Sequence, residues 1–542
     1  MGERDSKNAI LWNEIVDYSP ILECKTDFTP LQHIFTKKYL THPSSTEVEE
    51  SYVAVVMEYG LKNDPGLSDF ENVLTNTREC VFQIGQAKNE SNANIIVFPE
   101  YVLTTPNLPN NLENISTYVP TPAEDASPCM RVRSPYADFL VLISCAAFQH
   151  QVYVVINVIE KANSSTNSII YYNTNVVFDT RGAVIARYRK INLVNEDMFT
   201  PGEEVTVFTS FGVTFGLLST ADILHKNPLE TLMNDLRVTD LIYPNSWHSE
   251  TPFFKGLSLQ DGVAKKYGVN LLASGYSDPR DGMGGSGIFL SDASIGIIDL
   301  SLITTQTRLA SRVNIIPTRT PASVCEHNVN VIPRIGGQPP TVDNFGLNFE
   351  NMELYTFVDL ELGVNVTTGE VCSEGSDFCC EYDIAFNSPL TNTSTVYKVA
   401  AFYGIRSMSN PLSTLGVRSC ALVACQNDNS SSCSMRPSAF NVEFSRVTIK
   451  THVPTNQDTF YIPSTLSSSL RPLTLYTYCE GDIEDGQVEI AMTIERANDI
   501  MAFGIFGRVY NLDGGEVGRG FGSFIKALTM LIFSSIVAAY LM

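Results

Sequence analysis

The stretch FGVTFGLLSTADILHKNP, Phe211 to Pro228, begins as an apolar run and passes directly into a turn that carries Asp222. A short apolar segment that stops at Ser, Thr and Asp reads as a buried strand ending in a polar turn. Two upstream segments share this design. IIVFPEYV places Glu100 just after an apolar run, and GAVIARYRKINL places Lys190 at the end of the strand-like VIARYR. In α/β folds, polar residues at the ends of buried strands converge on one crevice. Glu100, Lys190 and the Ser219-Thr220 pair are therefore the candidate site residues.

Working outward, strands and helices alternate. SYVAVVMEYG (51–60) is the first clear strand. NVLTNTRECVFQIGQAKNE follows as an amphipathic helix with Val73, Cys80, Ile84 and Ala87 on one face. YADFLVLISCAAFQHQ predicts a second helix, and VYVVINVIE a strand. NTNVVFDTRGAVIARYRKINL predicts a hairpin turning at Arg181-Gly182. Beyond the opening stretch come a helix around PLETLMNDLRV, the strand TDLIYPNSW, the helix GLSLQDGVAKKYG and the strand VNLLASGYS. This order defines an α/β domain. After about residue 330, short Thr-, Val- and Tyr-rich runs between polar turns predict a mostly β domain.

The chain has 542 residues, 44% hydrophobic and 18% charged, enough for two or more domains with proper cores. Its formal charge is −23, from 36 basic and 59 acidic residues, with no basic run to offset it. No nucleic-acid partner is expected, because phosphate binding needs a positive footprint. Of 12 cysteines, eight lie late in the chain: Cys325, Cys372, Cys379, Cys380, Cys420, Cys425, Cys433 and Cys479. That density points to disulfides in an oxidising compartment, with zinc as the alternative reading; no CxxC pair or nearby His supports a metal, and spacing does not give the pairing. Six N-x-S/T sequons, at Asn89, Asn114, Asn163, Asn365, Asn392 and Asn429, also favour the secretory route. The segment GMGGSG (282–287) satisfies GxGxxG but lies between two strands with no helix after it, so no dinucleotide site is expected, and no cofactor.

IIVFPE, GAVIARYRKINL and FGLLSTADIL together resemble the three signature blocks of the carbon–nitrogen hydrolases, the nitrilase superfamily. YPNSWHSETPFF, GVNLLASGYS, GGSGIFLSD and the Cys-rich C-terminal region are similar to the vanin (pantetheinase) and biotinidase subfamily in particular. The resemblance implies an α-β-β-α sandwich over 51–325 and a vanin-type β domain over 326–510. It implies that Glu100 stands at the general-base position and Lys190 at the position that stabilises the tetrahedral intermediate. At the nucleophile position, where the family has cysteine, this chain has Thr220, and the aromatic residue that follows is Ala221. No cysteine lies between Cys145 and Cys325, so no shift of register restores the thiol.

An internal threonine lacks the free α-amine that threonine nucleophiles use as base, and its β-methyl crowds the path of attack. Ser219 would face the other way if the strand continued, whereas a turn would bring it back. The expectation is a catalytically impaired, vanin-like ectodomain that binds a small amide or a protein partner. The alternatives are an active amidohydrolase on linear amides of the pantetheine or biotin-amide type, and a purely structural or adhesive surface protein. Trp247 is expected as a pocket wall, and Asp222 as a pocket residue that caps the turn. His225 and His248 are read as surface histidines or as residues of the pocket mouth.

The two ends point in different directions. NLDGGEVGRGFGSFIKALTMLIFSSIVAAYLM ends in the uncharged segment Ala527 to Met542, preceded by a Gly-rich spacer and by small residues at Asp513-Gly514-Gly515. That order fits a GPI-attachment signal over 511–542 with Asp513 as attachment residue, better than a membrane span, for which about 20 apolar residues are usual. It predicts a protein held at the outer face of the plasma membrane. Residues 1–50 show no signal-peptide pattern and are read as an unassigned segment from a wrong start or exon.

Overall fold

The computed structural model describes residues 50–519, except 62, 132–134, 292–294, 301–302, 320–344, 389–394 and 408–413. Residues 1–49 lie outside the described residues, as do Cys325, Asn392 and the apolar tail.

The hydrolase-like part is built on a 13-stranded sheet. Six central strands run parallel: Tyr153–Asn163, Ile95–Val97, Ser51–Tyr59, Asn270–Tyr276, Asp240–Asn245 and Val213–Leu217. Parallel neighbours need crossovers, which the helices Asp69–Ser91, Asp138–His150 and Gly256–Tyr267 supply. The first helix starts at a Ser68–Glu71 capping box and stops where Asn92 turns left-handed, at φ 50°. Val73, Cys80, Ile84 and Ala87 are its buried face, as the periodicity predicts. The hairpin at Arg181-Gly182 also forms. Gly182 has φ +68°, and a Cβ there would come within 2.4 Å of the Ser144 carbonyl.

Successive residues of one strand feed two cores. Val55 and Met57 pack with the helix residues Val73, Ile84, Phe139 and Ile143. Ala54 and Val56 pack instead with Phe215, Ile242 and Leu272, from the other arm of the curled sheet. This is the α-β-β-α sandwich.

The C-terminal part pairs a six-stranded with a five-stranded antiparallel sheet. Along Val396–Ser407, Val399 and Ala401 point into the core between these sheets. Ala400 and Phe402 point the other way, into a core shared with Trp247, Leu257 and Val263. A strand buried on both faces explains the nearly continuous apolar runs VAAF and ALVAC. The second domain is thus packed onto the first. Gly262 marks the close approach, since a Cβ there would sit 2.4 Å from the Pro463 carbonyl.

Four disulfides join Cys129 to Cys145, Cys372 to Cys379, Cys380 to Cys420 and Cys425 to Cys433. Cys479 is also disulfide-bonded. The bridge in the hydrolase domain was not foreseen from spacing.

The chain does not leave the fold at residue 511. Asp513 accepts two bonds of 2.6 Å from Arg508 and one of 2.9 Å from the Gly416 amide. Gly518–Arg519 then pairs with Val396–Ser407. Cleavage after Asp513 would remove that strand, so the expectation that Asp513 is the attachment residue does not fit the fold. Among the described residues, no helix is long and apolar enough to cross a membrane.

Candidate active site

The three strand ends meet. Glu100, in the turn after Ile95–Val97, is 0% exposed, and Lys190, after Val184–Arg189, is 3% exposed. Lys190 Nζ lies 2.9 Å from Glu100 Oε1 and 2.7 Å from Glu196 Oε2. Glu100 Oε1 also accepts from Asn173 Nδ2 at 2.8 Å and Ser219 Oγ at 3.0 Å. Its Oε2 accepts from Ser246 Oγ at 2.7 Å and from the Thr220 hydroxyl. Five donors therefore converge on one carboxylate. Burial works against its charge, but Lys190 and the hydroxyls of Thr220 and Ser246 outweigh burial and hold the carboxyl below its usual range. Burial likewise opposes the Lys190 ammonium, yet Glu100 and Glu196 keep it above its ordinary value.

The strand Val213–Leu217 gives way to a single helical turn, Thr220–Leu224. Thr220 opens it at φ +21°, an unusual backbone for a β-branched residue and a local strain held by its surroundings. The Ser246 amide donates to Thr220 Oγ1 at 2.8 Å, and the Tyr243 hydroxyl to the Thr220 carbonyl at 2.7 Å. The turn also swings Ser219 inward, so both hydroxyls face Glu100.

Asp222 caps this turn by accepting the Ser219 amide at 2.8 Å, but it is not among the residues that line the cavity. It lies 0% exposed beneath the turn, bonded to Tyr188 Oη at 2.7 Å and to Asn192 Nδ2 at 2.8 Å. The pocket placement read from sequence is therefore corrected: Asp222 supports the floor. Burial pushes its carboxyl up to about 6, despite these donors.

A cavity of about 250 Å³ opens above the cluster. Lys190, Thr220, Ala221, Trp247 and both His225 and His248 line it, so the two histidines belong to the site and not to the general surface. His225 Nδ1 lies 2.8 Å from the Ala221 carbonyl, and His248 Nε2 lies 3.2 Å from Asp281 Oδ2. An outer recess shares Asn195, Glu196 and His225 with this cavity.

Sequence reasoning missed several participants. Asn173 Nδ2 reaches Glu100 Oε1, Tyr101 Oη (3.0 Å) and Glu196 Oε1 (2.9 Å), tying the two glutamates together. Nothing in its strand marks it out. Ser246 was within reach of the rule used for the other three, since it directly follows the buried strand Asp240–Asn245. Glu196 sits in the polar segment after Lys190, where no local pattern distinguishes it from Asp197.

Lys255, just ahead of the helix Gly256–Tyr267, is 0% exposed. Its Nζ bonds Ser249 Oγ at 3.1 Å and lies 4.2 Å from the Phe345 ring centroid. Burial pulls its pKa down to about 7, against the pull of Glu58. A lysine depressed in the folded state binds fewer protons there than in the unfolded chain. Its cost to stability therefore grows as pH falls from about 10.4 to about 7, then levels off. Lys255→Met is expected to stabilise the protein at pH 7 by a net of about 2 kcal/mol, once the lost ring contact and hydrogen bond are counted. Urea midpoints should show a gain that shrinks as pH rises toward that of free lysine. A gain independent of pH would refute this account.

Fold and cluster together define a carbon–nitrogen hydrolase scaffold. The Carbon-nitrogen hydrolase family model matches residues 56–253, and the Vanin C-terminal domain model matches 346–513. The chain is 30% identical to Vanin-like protein 2 of Drosophila melanogaster, over 82% of this chain and 89% of that one. It is 29% identical to the Pantetheinase of Bos taurus, over 64% and 68% respectively. It is 27% identical to the Biotinidase of Takifugu rubripes, over 74% and 84%. An amidase structure from Nesterenkonia sp. aligns over 50% of this chain and 94% of its own, with 15% identity and a TM-score of 0.36. The chain belongs to the vanin-like proteins of the carbon–nitrogen hydrolase family.

Proposed function

We propose that this protein binds a small amide of the pantetheine or biotin-amide type in the cavity lined by Lys190 and Thr220 above Glu100, and hydrolyses it poorly or not at all. The observation that carries this reading is the hydroxyl of Thr220 bonded to an already saturated Glu100. A thiol ionises at about 8.5, whereas an alcohol, like water, ionises roughly seven units higher. At about 1.4 kcal/mol per unit, that gap adds roughly 10 kcal/mol to forming the nucleophile. A carboxylate held below its usual range by Lys190 and the hydroxyls of Thr220 and Ser246 is a weak base for such a proton. Binding needs no such step. The cavity, its Trp247 wall and the Lys190 ammonium remain in place for an amide carbonyl.

A second reading, a working amidohydrolase, draws on the same contact, because the Thr220 proton already points at a carboxylate. Steady-state assays with pantetheine and a biotinyl amide separate the two. Turnover by the native protein that vanishes in Thr220→Ala would establish the second. Calorimetric binding of pantetheine without turnover supports the first.

We further propose that the protein travels the secretory route, supported by its disulfides and by exposed sequons. Asn89, Asn114, Asn163, Asn365 and Asn429 are all exposed. Enzymatic removal of N-glycans from protein made in animal cells should lower its mass by several glycans. An unchanged mass would count against this route. Attachment to the membrane through a C-terminal lipid remains part of the proposal, with a residue beyond Arg519 as the point of attachment.

A further inference from the structure

The turn that carries Thr220 is capped at its start from within the hydrolase domain. Its other end is held from outside. Arg508, on the strand Ile500–Val509 of the C-terminal domain, is 0% exposed. Its Nη1 donates to the carbonyl of Leu224, the last residue of the turn. The guanidinium is itself fixed: Nε donates to the Gly416 carbonyl at 3.2 Å, and Nη2 meets both oxygens of Asp513 at 2.6 Å. Gly416 N in turn donates to Asp513 Oδ1 at 2.9 Å, so strand, arginine and carboxylate form one rigid unit. The remaining exits of the turn are taken by His225, whose amide reaches the Asp222 carbonyl at 3.1 Å and whose ring reaches that of Ala221.

We propose that Arg508, braced by Asp513, is a positioning residue for the Thr220 turn, so that the C-terminal domain sets the orientation of residue 220 toward Glu100 and Lys190. This rests on reading residue 220 as the place of the attacking group. A five-residue turn with a strained first residue has little stability of its own. A planar fork that grips a carboxylate and a carbonyl at once holds geometry in a way a lysine ammonium does not. Small displacements of a reacting group carry large rate effects.

The test uses the full-length chain bearing Thr220→Cys, with alkylation of the introduced thiol by iodoacetamide, followed by mass spectrometry across a range of pH. Adding Arg508→Lys should slow alkylation at least about ten-fold and move its pH midpoint, because the thiol shifts relative to Lys190. Asp513→Asn, which leaves the arginine but frees it, should act in the same direction and decides the matter if Arg508→Lys does not fold. Ser258→Ala removes a different interdomain bond, Ser258 Oγ to the Thr465 carbonyl at 2.6 Å, and should leave the profile unchanged. A folded Arg508→Lys protein with an unaltered profile overturns the proposal. So does an equal effect from Ser258→Ala, which would mean general loosening. Alkylation needs no amide turnover, so failure of the proposed function would appear separately, as a Thr220→Cys protein that reacts with iodoacetamide yet cleaves nothing.

Discussion

Thr220→Cys is expected to raise hydrolysis of a pantetheine-type amide by at least about a hundred-fold over the native chain. Losing a nucleophile costs several orders of magnitude in such enzymes, and restoring it to an intact frame should recover a useful part of that loss. The frame is present: Glu100 and Lys190 are ion-paired at 2.9 Å, Glu196 supports the lysine, and the turn already aims side chain 220 at Glu100. Sulfur is larger than oxygen but Cys lacks the threonine methyl, so the exchange needs little room. The gain should appear in kcat, with KM nearly unchanged, because the cavity walls are not altered. Glu100→Gln in the same background should abolish the gain. If Thr220→Cys binds pantetheine yet stays inert, the impairment lies elsewhere than in the missing sulfur, and the proposed reading of the site is wrong.

The largest structural effect is expected at Arg406. It is 4% exposed and inserts between Glu250 and Glu350, the latter 2.7 Å from Nη1, with the guanidinium 3.9 Å above the Phe254 ring. The ion pair spans both domains. Arg406→Met leaves two buried carboxylates without the cation between them. Breaking such a pair from one side costs about 3–5 kcal/mol, a large part of the roughly 5–15 kcal/mol that keeps a domain folded. Chemical denaturation should show the loss directly. Burial already pushes the Glu350 carboxyl up, against the pull of Arg406, and removing the arginine raises it further. A group whose folded-state pKa is raised contributes stability at low pH and loses it as pH rises. The deficit of the variant should therefore shrink as pH falls from 7 toward 5. A deficit independent of pH would assign the loss to packing over Phe254 instead.

Much of the site was legible in the chain because it follows from local pattern. Glu100 and Thr220 each follow an apolar strand of the parallel run, and Lys190 follows Val184–Arg189, which runs in the same direction through two antiparallel pairings, so all three lie on one edge. The buried face of the helix Asp69–Ser91 and the hairpin at Arg181-Gly182 are equally local facts. Asn173 was not legible, because its role comes from the residues opposite it, not from its neighbours in sequence. Asp222 was misplaced for the same reason: a capping carboxylate at a turn can sit above or below it, and Tyr188 and Asn192 hold this one below. Asp513 looked like part of a detachable tail by composition, yet an arginine within the same domain takes it into the fold.

The sequence by itself determined the alternation of strands and helices, the family, and the replacement of a thiol by an alcohol at residue 220. These depend on periodicity and on the identity of single residues, which need no third dimension. Only the tertiary structure decided that Glu100 is saturated by five donors, that Ser219 faces inward with Thr220, and that Arg508 of the second domain closes the turn. Those depend on distances between segments 73 to 284 residues apart, which the packing of two sheets on each other sets and no local pattern encodes.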